Sequence, residues 1–159
     1  MIEKYNRILA KDYAKKWAFS RNPKYYAFDK VGGDCTSFIS QCLYAGSKIM
    51  NYTPVTGWYY INSVQRTPSW TGVEFLYNFL INNKGNGPFA TQVPSNKIEI
   101  GDVIQLGNHQ KFYHSLLVVD KIHNSIYVAA HDFDAYMKNL NTYIYERIRF
   151  LHIEGVRKV

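Results

Sequence analysis

Cysteine is scarce in this sequence, long apolar runs are absent, and acidic residues are outnumbered by basic ones. The two cysteines, Cys35 and Cys42, lie seven residues apart in what reads as one helix. Helical rise separates them by about 10.5 Å, beyond the roughly 7 Å that a disulfide spans between Cα atoms. They cannot pair with each other, so each thiol must be explained by packing, reactivity or metal ligation. No stretch approaches the roughly 18 consecutive apolar residues of a membrane-spanning helix, and "MIEKYNRILAKDYAKKW" lacks an apolar secretory core, so neither a span nor a signal peptide is expected in this chain. There is no internal repeat, no low-complexity tract and no His-Glu-x-x-His helix, which removes one familiar zinc-hydrolase arrangement.

What is present suffices for one core. With 47% hydrophobic and 16% aromatic residues over 159 positions, a single domain spanning 1–159 is expected. The net charge of +7 is uneven, because residues 1–30 carry eight Lys or Arg against three acids. On a helical projection Lys4, Arg7, Lys11 and Lys15 share one face, and Ile2, Leu9, Tyr13 and Trp17 share another. This pattern is a solvated face over a core stripe, or a surface for a polyanion.

The first half reads as helices: one to about Phe19, one from Cys35 with Gly46 as its stop, and one after "TPSW" with Thr71 and Glu74 spaced as a capping box. The second half reads as strands over 102–106, 112–120, 125–130 and 142–153, rich in β-branched and aromatic residues. The expected class is α+β, with N-terminal helices packed on a C-terminal antiparallel sheet.

"VGGDCTSFISQCLYAG" puts Cys35 after a Gly-Gly-Asp turn and at a helix start. Unpaired N–H groups and the positive end of the helix dipole favour a thiolate there, with Asp34, Thr36 and Ser37 all able to cap. Cys42, two turns on along the same apolar stripe, reads as an inert core residue. A base is sought among five histidines. His114 lies in "FYHSLLVV" on the face of Leu116 and Val118, and His131 ends the next strand. A four-residue hairpin loop sets the two directly opposite, and a two-residue loop moves them one diagonal step apart on the same face. Cys35 as nucleophile, His114 as base and His131 as orienting group form a cysteine acyl-transfer triad. Asp132 and Asp134 are rivals for the third role. His123, in the turn, and His152 are set aside.

"GGDCTSFISQCLYAGSKIM", "GWYY", "SW", "GDVIQL" and "HSLLVV" together resemble the bacterial putative amidase domain family, related to NlpC-type and CHAP cell-wall cysteine hydrolases of the papain-like superfamily. The resemblance runs from about Tyr5 to Leu140. It implies a papain-like fold, the same triad of Cys35, His114 and His131, cleavage of amide bonds in peptidoglycan without metal or cofactor, and an extracellular or wall-associated location. In such a mechanism the Cys35 N–H is one oxyanion donor, with Asp34 in support and a hydroxyl of Tyr25 or Tyr26 as a second donor. Trp58, Tyr59, Tyr60 and Trp70 would wall a substrate groove. The expected partner is a peptidoglycan or peptide substrate, with no nucleic acid and no membrane span, and the chain is expected to be a monomer. Competing readings are a zinc site of His109, His114, His131 and Asp132, a non-catalytic cationic wall- or nucleic-acid-binding module, and a same-triad transferase or toxin-like amidase acting on a protein.

Overall fold

A computed structural model describes residues 1–159. Its elements are β1 (Ile2–Glu3), α1 (Arg7–Trp17), α2 (Cys35–Ser47), α3 (Pro68–Thr71), α4 (Val73–Asn82), β2 (Gly87–Val93), β3 (Val103–Gly107), β4 (Phe112–Ile122), β5 (Ser125–Ala130), β6 (Ala135–Asn139) and β7 (Arg147–Arg157). The class is α+β. Seven antiparallel strands form one sheet in which β7-β3-β4-β5-β6 are consecutive neighbours and β1 and β2 both pair with β7. No helix is long and apolar enough to cross a membrane.

The helices cover one face of the sheet. Phe38, Ile39, Cys42 and Leu43 of α2 pack with Leu76 and Leu80 of α4 against Val103, Leu117, Ala129 and Leu151. The opposite face carries a smaller cluster, including Ile104, Leu106, Leu116, Val118 and Val128, closed by Leu140. Alternation along β4 therefore sends odd-numbered side chains toward the helices and even-numbered ones away.

Several expectations shift. In α1 the buried stripe is Ala10 and Ala14, continued by Ala18, while Leu9 and Ile2 are exposed. Small residues let α1 lie close to its neighbours, and Tyr13 and Trp17 flank the contact. Gly46 does not stop α2: a Cβ there would meet the Tyr5 ring at 2.5 Å and the Asn6 carbonyl at 2.7 Å. Its role is close approach of the chain entering α1, and α2 ends instead at Lys48 in the left-handed region. The capping box at α4 does not form, because Gly72 is the cap and Glu74 turns to Arg149 at 3.2 Å. The last strand begins at Arg147, with a 3-10 turn over Leu140–Thr142.

Trp58 and Trp70 do not wall a groove. Both are fully buried, their rings 4.9 Å apart, and Trp58 stacks on Phe79. Ser40 joins them by accepting from the Trp58 indole at 3.1 Å and donating to the Trp70 carbonyl at 2.9 Å. Tyr60 is also buried, and Tyr59 packs half-buried against Tyr52. Trp58→Ala is therefore expected to lower the unfolding free energy by about 3–5 kcal/mol, measured by urea denaturation; a change under about 1 kcal/mol contradicts the core assignment.

Candidate active site

Cys35 opens α2 as expected, but the first turn of that helix is already occupied by an anion. Asp132, from the short connection between β5 and β6, accepts from the Asp34 N–H at 2.9 and 3.1 Å with its two oxygens, and from the Cys35 N–H at 3.1 Å. Helix-start amides and the helix dipole both favour a carboxylate there. Asp132 and Phe133 reach it through positive φ of 61° and 66°. Gly33 makes room: its φ is +95°, and a Cβ on it would lie 2.6 Å from Asp132 Oδ2. In this arrangement the Cys35 N–H is not a vacant oxyanion donor. Neither is Asp34 a side-chain cap. Its buried carboxylate turns back, with Oδ1 accepting from the Phe28 N–H at 2.8 Å and Oδ2 2.6 Å from His131 Nδ1.

His131 does not orient His114. The hairpin turn is the two-residue His123–Asn124, with His123 at φ 55°, and an irregularity between Val118 and Asp120 shifts the register by one residue. Beyond it Leu117 faces Ala129, so the ladder carried onward sets Ser115, not His114, across from His131. A one-residue shift flips a side chain to the other face. His131 is accordingly buried on the helix side, stacked on Phe38 at 3.9 Å, with Nε2 2.8 Å from the Trp17 carbonyl and 3.1 Å from Arg21. Asp134 is engaged there too, accepting from Arg21 at 3.0 Å.

The sulfur nevertheless lies against the strand that carries His114. The ladder between β4 and β5 runs only from Leu117, leaving one edge of β4 open at 113–115, and Cys35 fills it. Its Sγ lies 4.0 Å from the Tyr113 carbonyl oxygen and takes a backbone hydrogen bond from Ser115, so it touches the strand on both sides of His114. Cys35 is 8% exposed. Burial pushes its thiol pKa up, the Ser115 and Thr36 hydrogen bonds pull it down, and the charge of Asp132 pushes it up again. The His114 imidazole is half-buried, makes no hydrogen bond within the protein and lines a cavity of about 410 Å³. Burial lowers its pKa, Asp132 raises it and Lys138 lowers it. Both directions favour the neutral form, of the thiol and of the imidazole alike.

A polar string absent from the sequence reading fixes α2 on the sheet. The hydroxyls of Thr36 and Ser115 are 3.1 Å apart, Gln105 donates to Ser115 at 3.2 Å, and Arg149 donates to Gln105 at 2.7 and 2.9 Å. Part of the signal was available: Gln105 is the one polar side chain inside the apolar strand β3.

Other candidates disperse. Tyr25 stacks on Trp70, Tyr26 packs on Phe28, and neither hydroxyl makes a hydrogen bond; both line a crevice with Asp34 and His131 rather than Cys35. The proposed zinc ligands do not converge, since His109 pairs with Glu146 at the surface while His131 and Asp132 are held as above. His152 bonds buried Asp102, the hub that also accepts from Arg7 and the Ile153 N–H.

Residues 4–153 match the family described as Putative amidase domain. The chain belongs to this family. Over 122 residues it is 37% identical to the uncharacterized protein YhbB of Bacillus subtilis, a match that covers 74% of this chain and 38% of that relative. The chain thus corresponds to well under half the length of the relative it matches. No solved structure matches it. The motif block of this amidase-domain member thus coincides with the α2 start, where Gly33 is dictated by the Asp132 carboxylate. Asp132→Asn removes the charge and keeps an oxygen acceptor for the amides. The pH midpoint for iodoacetamide labelling of Cys35, read by peptide mass analysis, is expected to move down relative to wild type. An unchanged or raised midpoint contradicts the electrostatic role given to Asp132.

Proposed function

We propose that this chain is a cysteine-dependent amide hydrolase of papain-like architecture acting on bacterial peptidoglycan, with Cys35 as nucleophile and His114 as base. One observation supports the reading: the Cys35 sulfur rests against β4 on both sides of His114, whose imidazole makes no hydrogen bond within the protein and is left free for a substrate. Membership of an amidase-domain family supports it.

Because burial disfavours both charged forms, the proton moves during attack rather than before it. The Cys35 thiol proton passes to His114 as sulfur bonds to the amide carbonyl carbon. The imidazolium then protonates the leaving amine, the C–N bond breaks, and a thioester remains. Water, deprotonated by His114, attacks the thioester and releases a carboxylic acid and the thiol. Asp132, whose charge favours protonated His114, is the third polar group in this scheme. It also occupies the Asp34 and Cys35 amides, so in this arrangement they do not serve as oxyanion donors. His131 acts at one remove, fixing Asp34 and the loop that leads into α2.

The test is digestion of purified peptidoglycan followed by mass analysis of released fragments. Wild type is expected to release them, with turnover falling by at least about a thousandfold in Cys35→Ala and in His114→Ala while the circular dichroism of both stays native. Equal release by Cys35→Ala overturns the nucleophile and favours a non-catalytic wall-binding module. Release from no wall type overturns the substrate.

A further inference from the structure

We propose that the cavity beside His114 is a subsite for the leaving-amine side of the substrate, that it selects a fragment bearing a free carboxylate next to an apolar group, and that Lys138 is the counter-ion. The inference deepens the hydrolase reading and rests on it only for the side of the scissile bond that enters the cavity.

The cavity of about 410 Å³ falls in the size range of small-ligand pockets. Its wall holds His114, Asp132, Lys138 and Tyr143, with Leu106 among its apolar lining. Lys138 sits on β6 opposite Val128, whose side chain belongs to the cluster on the face of the sheet away from the helices. His114 shares that face by alternation with Leu116 and Val118.

Lys138 is half-buried and forms no ion pair with any acid of the chain. Its ammonium is held 4.3 Å from the centre of the Tyr143 ring, which positions the charge without neutralising it. The acid that shares the cavity, Asp132, has both oxygens turned onto the amides at the start of α2. A cation fixed in a partly apolar cavity with no anion of its own is a recognition group for a carboxylate. Its field already reaches the imidazole, since Lys138 contributes to the low pKa of His114.

The rim points the same way. Phe133 and Ile144, on two different loops, are 95% and 94% exposed and both line the opening. Large apolar side chains held in solvent at the mouth of a charged cavity suit a ligand with an apolar group beside its anion. His114 fixes the polarity of the substrate, because the imidazolium must face the departing nitrogen. The fragment at Lys138 is therefore the amine product, and its carboxylate is either a chain terminus or an acidic side chain.

Binding to Cys35→Ala, measured by calorimetry, tests the subsite without turnover. The probes are muropeptides from digested peptidoglycan, before and after carbodiimide amidation of their carboxylates, together with synthetic stem peptides amidated only at the terminus or only at the side chain. The native form is expected to bind at least about tenfold more tightly than the fully amidated one. Lys138→Met in the same background is expected to bring the two to equal affinity, with Lys138→Arg restoring the difference. The singly amidated peptides show which carboxylate is read. Equal affinity of native and amidated probes, or a preference that survives Lys138→Met, overturns the subsite. Carboxylate-selective binding with no release of fragments by wild type leaves the subsite standing and overturns peptidoglycan as the hydrolysed substrate instead.

Discussion

A carboxylate from one loop seated on the first amides of a helix holds the site together. The first N–H groups of α2 are buried beside the sheet, where an unmatched donor costs about 1–3 kcal/mol, and no side chain of the helix itself satisfies them. Asp132 does so from 97 and 98 residues away along the chain. The bond therefore ties the β5–β6 connection to the helix that carries Cys35. It explains the glycine at 33, the two residues with positive φ at 132 and 133, and the negative charge beside the sulfur.

Two further polar sets keep that clamp in place. On one side Asp34, His131 and Arg21 fasten the loop before α2 to Trp17 and to Asp29 and Asp134. On the other, Thr36, Ser115, Gln105 and Arg149 run from the helix into the sheet. These groups are largely withdrawn from water, so each must find a partner, and the partners exist in only one relative placement of α2 and β4. Apolar packing alone tolerates sliding; hydrogen-bonded strings do not. The sulfur consequently rests at the open edge of β4 rather than somewhere along its length.

How much of this was legible in the sequence depends on the range of the interaction involved. Cys35 at a helix start and His114 in an inward-reading strand follow from local pattern, and both stand where the pattern puts them. The class and the antiparallel pairing were legible for the same reason, but the place of the last strand was not, since β7 returns to pair with β3 instead of continuing a meander after β5. β2 escaped because its Gly-Pro start continues the turn-rich "NNKGNG" and its burial does not alternate, and β6 because "AYMKN" carries no β-branched residue. His131 was misassigned by one irregularity near Val119, which periodicity cannot reveal and which reverses the face of everything beyond it. Trp58 and Trp70 are residue types more common in a core than on a ligand platform, and their complete burial places them in the core. Asp132 read as a rival orienting group for the base and not as the partner of the α2 amides, because those amides lie 97 and 98 residues away along the chain.

The two cysteines of α2 show what sequence position leaves undetermined about reactivity. Both are buried, and burial raises the pKa of both. Cys42 has only its own backbone amide to oppose that, whereas Cys35 is met by donors from Thr36 and from Ser115 on a different element. Those donors would stabilise sulfur charge as it develops; Asp132 opposes that charge while favouring a protonated His114. The resting balance keeps the thiol protonated and spares it from casual oxidation or alkylation, since the thiolate is the reactive form. On the proposed mechanism, reactivity then depends on a substrate that excludes water, brings an electrophilic carbon to the sulfur and draws the proton onto His114, so the chemistry is coupled to substrate binding rather than to the helix start alone.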